Sequence, residues 1–381
     1  MWAQNTGGFG ANAGQQAAPS DGTQFDNEIQ HPFTDAISCL KFAPLNQTYQ
    51  SIGSPILAAA SFDGNIVIYR TQDDGKVIQA QFMLQTNAGG PVLGICWQPD
   101  AQALLIACAD NNIKRWDLGS NSVNVVGQHK QPVKDIYCFS LNNQQIVVSG
   151  GWDARVKFWN WNQGTLNQIG EAYVAKPVHY MSGEFPLLVT AHSELHVHYW
   201  NLNNIIRGDF NPAGLLISPL KQGTTSICCF PDAKGFAIGS IEGRCGIKYL
   251  DINTNNIVNS DDFCFKCHRQ DDTATTNPKP SQVYAVNGIV FNKQFGSFAT
   301  LGQDGSYYFW NKDTKSKLRN TKAPNPQIPL TSADFLDNAQ QFAYAYGYDW
   351  GKGAEESKKG YPTKLVIRKV QENEVLGKKK V

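Results

Sequence analysis

The chain has 381 residues, 33 lysines and arginines against 32 aspartates and glutamates, and a formal net charge of +1. That balance excludes a global field drawing the protein to nucleic acid or membrane, so any basic surface must be local. With 41% hydrophobic and 11% aromatic residues it can bury a large core, and its 34 glycines and 18 prolines favour many turns and short strands over long helices.

Residues 1–24 are rich in Gly, Gln, Asn and Ala and cannot bury enough surface to offset their ordering entropy, so a flexible tail is expected there. Its Gly8-Phe9-Gly10 triplet is a single unit in a Gly-rich stretch and carries no argument alone. The first residues have neither the basic start nor the apolar stretch of a secretory signal, and no apolar run approaches the roughly 20 residues of a membrane span, so no membrane insertion is expected. Nine cysteines, an odd number without an export signal, read as reduced thiols in a core.

From residue 31 a pattern recurs: an apolar strand, a second apolar strand, a tight turn with an acidic residue, and a third strand ending in an aromatic. The turn acids are Asp63, Asp110, Asp153, Glu194, Glu242, Asp304 and Asp349, at spacings of 47, 43, 41, 48, 62 and 45 residues. All but one spacing lie near the roughly 40–45 residues of a four-stranded propeller blade. First strands such as VLGICW and VNGIVF, and second strands such as ILAAAS and SFATLG, are short and rich in small, β-branched or aromatic residues. The expected fold is all-β, a seven-bladed WD-type β-propeller spanning 25–370, between the 1–24 tail and a basic C-terminal tail at 371–381. The last unit lacks a fourth strand, and the segment near Thr23–Gln30 is placed to supply it and remove two open edges. His129, Ser149, Asp153 and Trp159 are expected to form one hydrogen-bonded network tying a turn to its strands.

Little in the chain reads as catalysis. Cys264-Phe265-Lys266-Cys267-His268 matches C-x-x-C-H, but it lies in a strand whose alternation sends Cys264 and Cys267 to opposite faces. His192, His196 and His198 supply two ligands on one strand face, short of the four a structural zinc needs. No nucleophile elbow, phosphate-cradling loop or paired-carboxylate motif is present, so a protein that is not an enzyme, with no metal and no cofactor, is expected. Charge is more informative. Lys312, Lys315, Lys317, Arg319 and Lys322 follow Trp310 in the sixth unit, and alternation would put Lys315, Lys317 and Arg319 on one face. The fifth unit's outer strand ends FCFKCHR, so two basic-aromatic strands should lie side by side. Cations that contact phosphates and aromatics that stack on bases suit a single-stranded nucleic acid. An edge strand protected from aggregation by lysine has the same look, and both readings stand at this point. The Lys378–Lys380 run adds charge at the C-terminal end.

The stretches Gly235–Asp251 (GFAIGSIEGRCGIKYLD), FCFKCHR, YAVNGIVFNKQFGSFATLGQDGSYYFWNKD and FAYAYGYDWGKG closely resemble the messenger-RNA export (RNA-export, or Gle-two) family of WD-repeat propellers. The likeness spans about residues 31–370. The S-I-E-G-R and F-x-C-H-R stretches are shared with a sister family, the Bub-type spindle-checkpoint propellers, whereas YGYDWGKG at 346–353 resembles the export family alone. The resemblance implies a non-enzymatic adaptor at the nuclear pore, found in the nucleus, at the nuclear envelope and in the cytoplasm. It implies a Phe-Gly nucleoporin carrying a GLEBS motif as partner, met by Arg244 together with Glu242, Lys266 and Arg269. It also implies single-stranded RNA or ribonucleoprotein cargo in a groove comprising Phe265, Trp310, Asn311, Lys312, Lys315 and Lys317, and mitotic checkpoint partners in some relatives. Asn311 stands where the family usually has Asp and Lys315 where it has Arg, which keeps the charge but loses the planar fork. The alternative reading is the sister family, binding phosphorylated kinetochore repeats and checkpoint kinases.

Overall fold

The runs ILAAAS, ALLIAC, LLVTAH, GFAIGS, SFATLG and QFAYAY form strands buried at every residue. A strand with no solvent face must be covered on both sides, so each sheet carrying one is sandwiched between two others. Leu57 and Ala59 pack toward the last sheet of the chain, while Ala58 and Ala60 pack toward the second. Small side chains there let neighbouring sheets approach closely. The computed structural model describes residues 24–45, 53–252, 256–271, 281–321 and 328–376. The Gly8-Phe9-Gly10 triplet, Lys322, most of the 271–280 insertion and Lys378–Lys380 lie outside these described residues.

Among the described residues there are seven four-stranded antiparallel sheets and one two-stranded hairpin. The seven sheets are blades 1–7, covering residues 37–87, 92–128, 133–173, 178–217, 224–266, 286–321, and 330–369 with 26–29. Each blade's innermost strand contacts that of the next, and blade 7 returns to blade 1, which closes the ring. The innermost strands surround a central channel of about 950 Å³. Every one of them carries a register shift near its start, from Ile37/Cys39 in blade 1 to Leu330/Ser332 in blade 7. One extra residue bends and twists a strand, and the same device repeated seven times turns the inner strands round the axis.

The ring closes as the sequence requires. Asp26–Ile29 pairs antiparallel with Lys364–Lys369 and becomes the outermost strand of blade 7. Arg368 is wholly buried there, its Nη1 2.8 Å from Asp26 and its Nη2 2.8 Å from Glu374. The boundary expected at 370 moves. The helical turn Glu372–Val375 packs back onto blades 6 and 7, with Val375 in their shared core. The C-terminal tail therefore cannot start at 371, because Glu374 is held by two arginines and Val375 by an apolar pocket. The hairpin Arg269–Asp271 with Ser281–Val283 rises from the link between blades 5 and 6.

Candidate functional site

His129, Ser149, Asp153 and Trp159 meet inside blade 3. The His129 Nδ1–H donates to Asp153 at 3.0 Å, its Nε2 accepts from the Ser149 hydroxyl at 2.7 Å, and the Trp159 indole N–H donates to the same hydroxyl oxygen at 2.8 Å. Burial opposes ionisation of Asp153, but donors from His129, the Lys130 amide and the Arg155 amide outweigh it and hold the carboxyl below its usual range. Every buried polar atom of the set has a partner, which is what such a network requires.

A second network of the same design joins blades 5 and 6. His268 donates to Asp304 at 2.9 Å and accepts from Thr300 at 2.9 Å, while the Trp310 N–H donates to Thr300 at 2.9 Å. The sequence carried a signal for it: the hydroxyl residue and the tryptophan are ten residues apart in both blades. It was obscured because His268 also closes the C-x-x-C-H pattern. Cys264 faces the core between blades 4 and 5, and Cys267 that between blades 5 and 6, so their side chains diverge. Burial pushes the Cys264 thiol up to about 11. His192 and His198 are in edge contact at 4.9 Å, and burial followed by the His198 charge lowers His192 to about 4.

The outermost strands of blades 5 and 6, Asn256–Lys266 and Ser316–Thr321, belong to adjacent blades, and they are bridged by a side chain from the turn between the two outer strands of blade 6. The Lys315 ammonium sits 4.8 Å over the Phe263 ring, and that of Lys317 sits 5.2 Å over Tyr308 and 5.9 Å over Trp310. Both lysines are exposed. Packing against these rings desolvates Lys317 and lowers its pKa. Arg319 leaves this face. A bulge opposite Phe309/Trp310 inserts Leu318, breaks the alternation, and turns Arg319 toward Glu374 on the other side. Lys315 is not in the strand but in the turn before it, at φ 51°.

Four of the expected groove residues are not available to a ligand as packed. Phe265 and Trp310 are 2% and 4% exposed and lie against each other at 4.7 Å in the core between the blades. Asn311 is buried and its side chain accepts from the Asp313 and Thr314 amides, fixing the turn. Lys312 is buried, its ammonium over Phe230 and Tyr249 and 2.7 Å from Asp313. Stacking of bases on Phe265 or Trp310 is therefore corrected: the rings form the floor beneath Lys317, and the neighbouring blade covers them. Tyr308, half-buried under Lys317, is the aromatic that sequence reading overlooked.

The remaining four residues converge at the same junction. Arg244 and Lys266 are cross-strand partners in blade 5, and the Arg244 Nε lies 3.6 Å from Glu242. Arg269 donates through Nη2 to the Glu242 carbonyl at 2.7 Å. One carboxylate thus faces Arg244 alone, with Lys266 beside Arg244 across the strand and Arg269 on the Glu242 backbone carbonyl, and the surplus positive charge lies beside exposed Ile241 and Val283. An arginine so placed can hold an incoming carboxylate through two parallel hydrogen bonds, with apolar contact alongside.

Comparison with known proteins bears on the family of the chain. A model of the WD40 domain of anaphase-promoting complex subunit 4 matches residues 54–162. The chain is similar to the mRNA export factor rae-1 of Caenorhabditis elegans, 34% identical over 351 residues, 89% of this chain and 87% of the relative. It is similar to the mRNA export factor GLE2 of Chaetomium thermophilum, 34% identical over 345 residues, 91% of this chain and 90% of the relative. The Poly(A)+ RNA export protein of Schizosaccharomyces pombe is 32% identical over 352 residues, 92% of each.

Proposed function

This chain belongs to the mRNA export factor family of WD-repeat propellers, and on that premise we propose that it is a non-enzymatic adaptor in messenger-RNA export, acting at the nuclear pore. One surface, built on Glu242, Arg244, Lys266 and Arg269, receives the acidic groups of a nucleoporin's GLEBS motif. A second, built on Lys315 and Lys317, follows the phosphates of single-stranded RNA. The observation that carries this reading is the cation cluster of blade 5, Arg244 at the Glu242 carboxylate with Lys266 across the strand and Arg269 on the Glu242 carbonyl, together with the exposed Lys315 and Lys317 of blade 6 over blade 5 and 6 aromatics. Occupying both surfaces at once links cargo to pore, and each attachment raises the effective concentration of the other.

Because Phe265 and Trp310 are covered, RNA contact in this reading is made through phosphates, with little base discrimination and a strong dependence on salt. A GLEBS peptide should be retained by the wild-type protein and lost by Arg244→Glu; retention by the variant removes the nucleoporin half. For the RNA half, a Lys315→Gln, Lys317→Gln variant should flatten the dependence of log K on log salt by about 1.4, at roughly 0.7 per phosphate on a single strand. An unchanged slope means that these lysines do not touch RNA.

A further inference from the structure

We propose that Trp350, in the turn of blade 7, is a second anchor for the acidic peptide received by Arg244, held out for that purpose by the loop around it. The inference rests on the nucleoporin half of the reading above and adds to it an apolar contact two blades away. Trp350 lies between the second and third strands of blade 7, Gln341–Tyr346 and Lys364–Lys369. Ile241 and Glu242 hold the matching place in blade 5, between Gly235–Ser240 and Arg244–Asp251. Both turns therefore open on one face of the ring, and Ile241, Gln303, Asp349 and Gly351 line the same end of the central channel.

Two features of Trp350 oppose stability at once. Its backbone is left-handed, at φ 60°, where a side chain crowds its own main chain and glycine is favoured. Its ring is 42% exposed, while Tyr346 and Tyr348 beside it are buried. The loop enforces both. Asp349 accepts from the Asn287 side chain of blade 6 at 2.9 Å and from the Gly351 amide at 3.0 Å. Tyr348 stacks on Tyr361 at 4.9 Å, and its hydroxyl donates to the Gly353 carbonyl at 2.7 Å. The Gly353 amide donates back to the Trp350 carbonyl at 3.0 Å. A Cβ on Gly351 would stand 2.7 Å from the Gln303 side chain, and one on Gly347 2.8 Å from Ala36, so the loop is wedged between blade 6 and the chain entering blade 1. Strain that its surroundings fix so firmly points to a role in binding, and a rigid surface indole is the kind of side chain that dominates an interface.

What the indole meets is set by its neighbours. Ile241, 53% exposed, borders the same channel end from blade 5, with Arg244 three residues on. Lys352, two residues beyond Trp350, is exposed, whereas Lys358 and Lys359 are held by Glu355 and Glu356. An apolar group with a cation beside it at each end of the crossing suits one extended peptide carrying both large apolar side chains and carboxylates.

The test measures a GLEBS peptide on the full chain by calorimetry, with a thermal melt of each variant. Trp350→Gly should weaken binding about thirtyfold, the loss expected of an interfacial tryptophan. It should do so without lowering the melting temperature, because glycine relieves the left-handed backbone. Trp350→Phe should keep most of the affinity and gain no stability. A Trp350→Gly protein that binds as wild type overturns the inference. So does one that loses binding and stability together, since the tryptophan would then be structural. If Arg244→Glu abolishes binding while Trp350→Gly leaves it intact, the nucleoporin reading survives and the second anchor fails. If the wild-type protein does not bind the peptide, both fail.

Discussion

Blades 3 and 6 and blade 4 meet the same demand by different means. In blades 3 and 6 a histidine from the preceding link bridges a turn aspartate and a buried hydroxyl, and the tryptophan ten residues later donates to that hydroxyl. Blade 4 has the hydroxyl, Thr190, and the tryptophan, Trp200, at the same separation, but no such histidine. There His192, the last residue of the second strand, accepts from Thr190 at 2.7 Å and donates toward the Lys176 and Pro177 carbonyls at 3.2 Å, while Trp200 donates to the Phe210 carbonyl at 3.0 Å. The turn acid, Glu194, points out to Lys176 at 2.6 Å. What a blade needs is that its buried polar atoms be satisfied, and the residue set is secondary. The cost of the substitute is rigidity: blade 4 ties its turn to no neighbouring link by an ion pair in the core, and its outermost strand is only four residues, with Leu215 and Ile217 exposed.

The comparison breaks first, if at all, at Asp304. Asp304→Ala strands the buried His268 Nδ1–H together with the Ser306 amide and hydroxyl, at about 1–3 kcal/mol for each unsatisfied donor, read as a fall in the guanidinium midpoint. His192→Ala in blade 4 removes the acceptor of the Thr190 hydroxyl and the donor shared by the Lys176 and Pro177 carbonyls, and should cost about 1–3 kcal/mol. Equal losses would mean that the aspartate adds nothing to its network.

The second difference is in pH. His192 is buried neutral with its pKa lowered to about 4, by burial first and by His198 second; His198 and His179 are also lowered by burial. A depressed histidine contributes stability that is complete above its unfolded value near 6.5 and lost as pH falls toward the folded value. Acidification from pH 6.5 to 4 should therefore weaken the fold through blade 4 by on the order of 3 kcal/mol, and His192→Gln should flatten that part of the profile. Asp153 and Asp304 are also shifted downward, below the usual carboxylate range, so their share is lost only below about pH 4. Blades 3 and 6 should keep their hydrogen-exchange protection at pH 5 while blade 4 loses some.

A smaller effect tests the indole. Trp310→Phe removes the bond to Thr300 but leaves His268 on that hydroxyl, and should cost about 1 kcal/mol from the hydrogen bond plus a small packing loss. Trp159→Phe should match it within a few tenths.

The seven blades were legible because the period near 45 residues, the alternation and the acidic turns all survive in single strands of text. The closing strand was legible for a related reason, since a blade short of one strand at one end calls for it at the other. The blade 3 network could be named because its four residues fall in one unit. The blade 6 network could not, because the link insertion stretches the separation of His268 from its hydroxyl to 32 residues, against 20 in blade 3. The groove was half legible. Residue types predicted basic and aromatic groups on blades 5 and 6, and the structure gathers Arg244 with Lys266 and Arg269 with Glu242 on blade 5, while Lys315 of blade 6 lies over Phe263. Which aromatics the neighbouring blade covers is a matter of inter-sheet packing, so the burial of Phe265 and Trp310 has no mark in the sequence. The bulge at Leu318 depends on the partner strand's register, and strict alternation therefore misplaced Arg319.

The smallest expected effect is the sharpest check on the blade 4 argument. Glu194 occupies the place in its turn that Asp153 and Asp304 occupy in theirs, at a left-handed φ of 59°. Its side chain is 62% exposed and pairs with a Lys176 that is 36% exposed, so the pair is screened by solvent and worth little. Glu194→Gln should leave the guanidinium midpoint indistinguishable from wild type and the acid limb between pH 6.5 and 4 as it is, because the protons that matter in blade 4 sit on His192 and its histidine neighbours. A loss comparable to Asp304→Ala would show that Glu194 does the work of the aspartates after all, and that blade 4 differs from blades 3 and 6 in geometry but not in energetics.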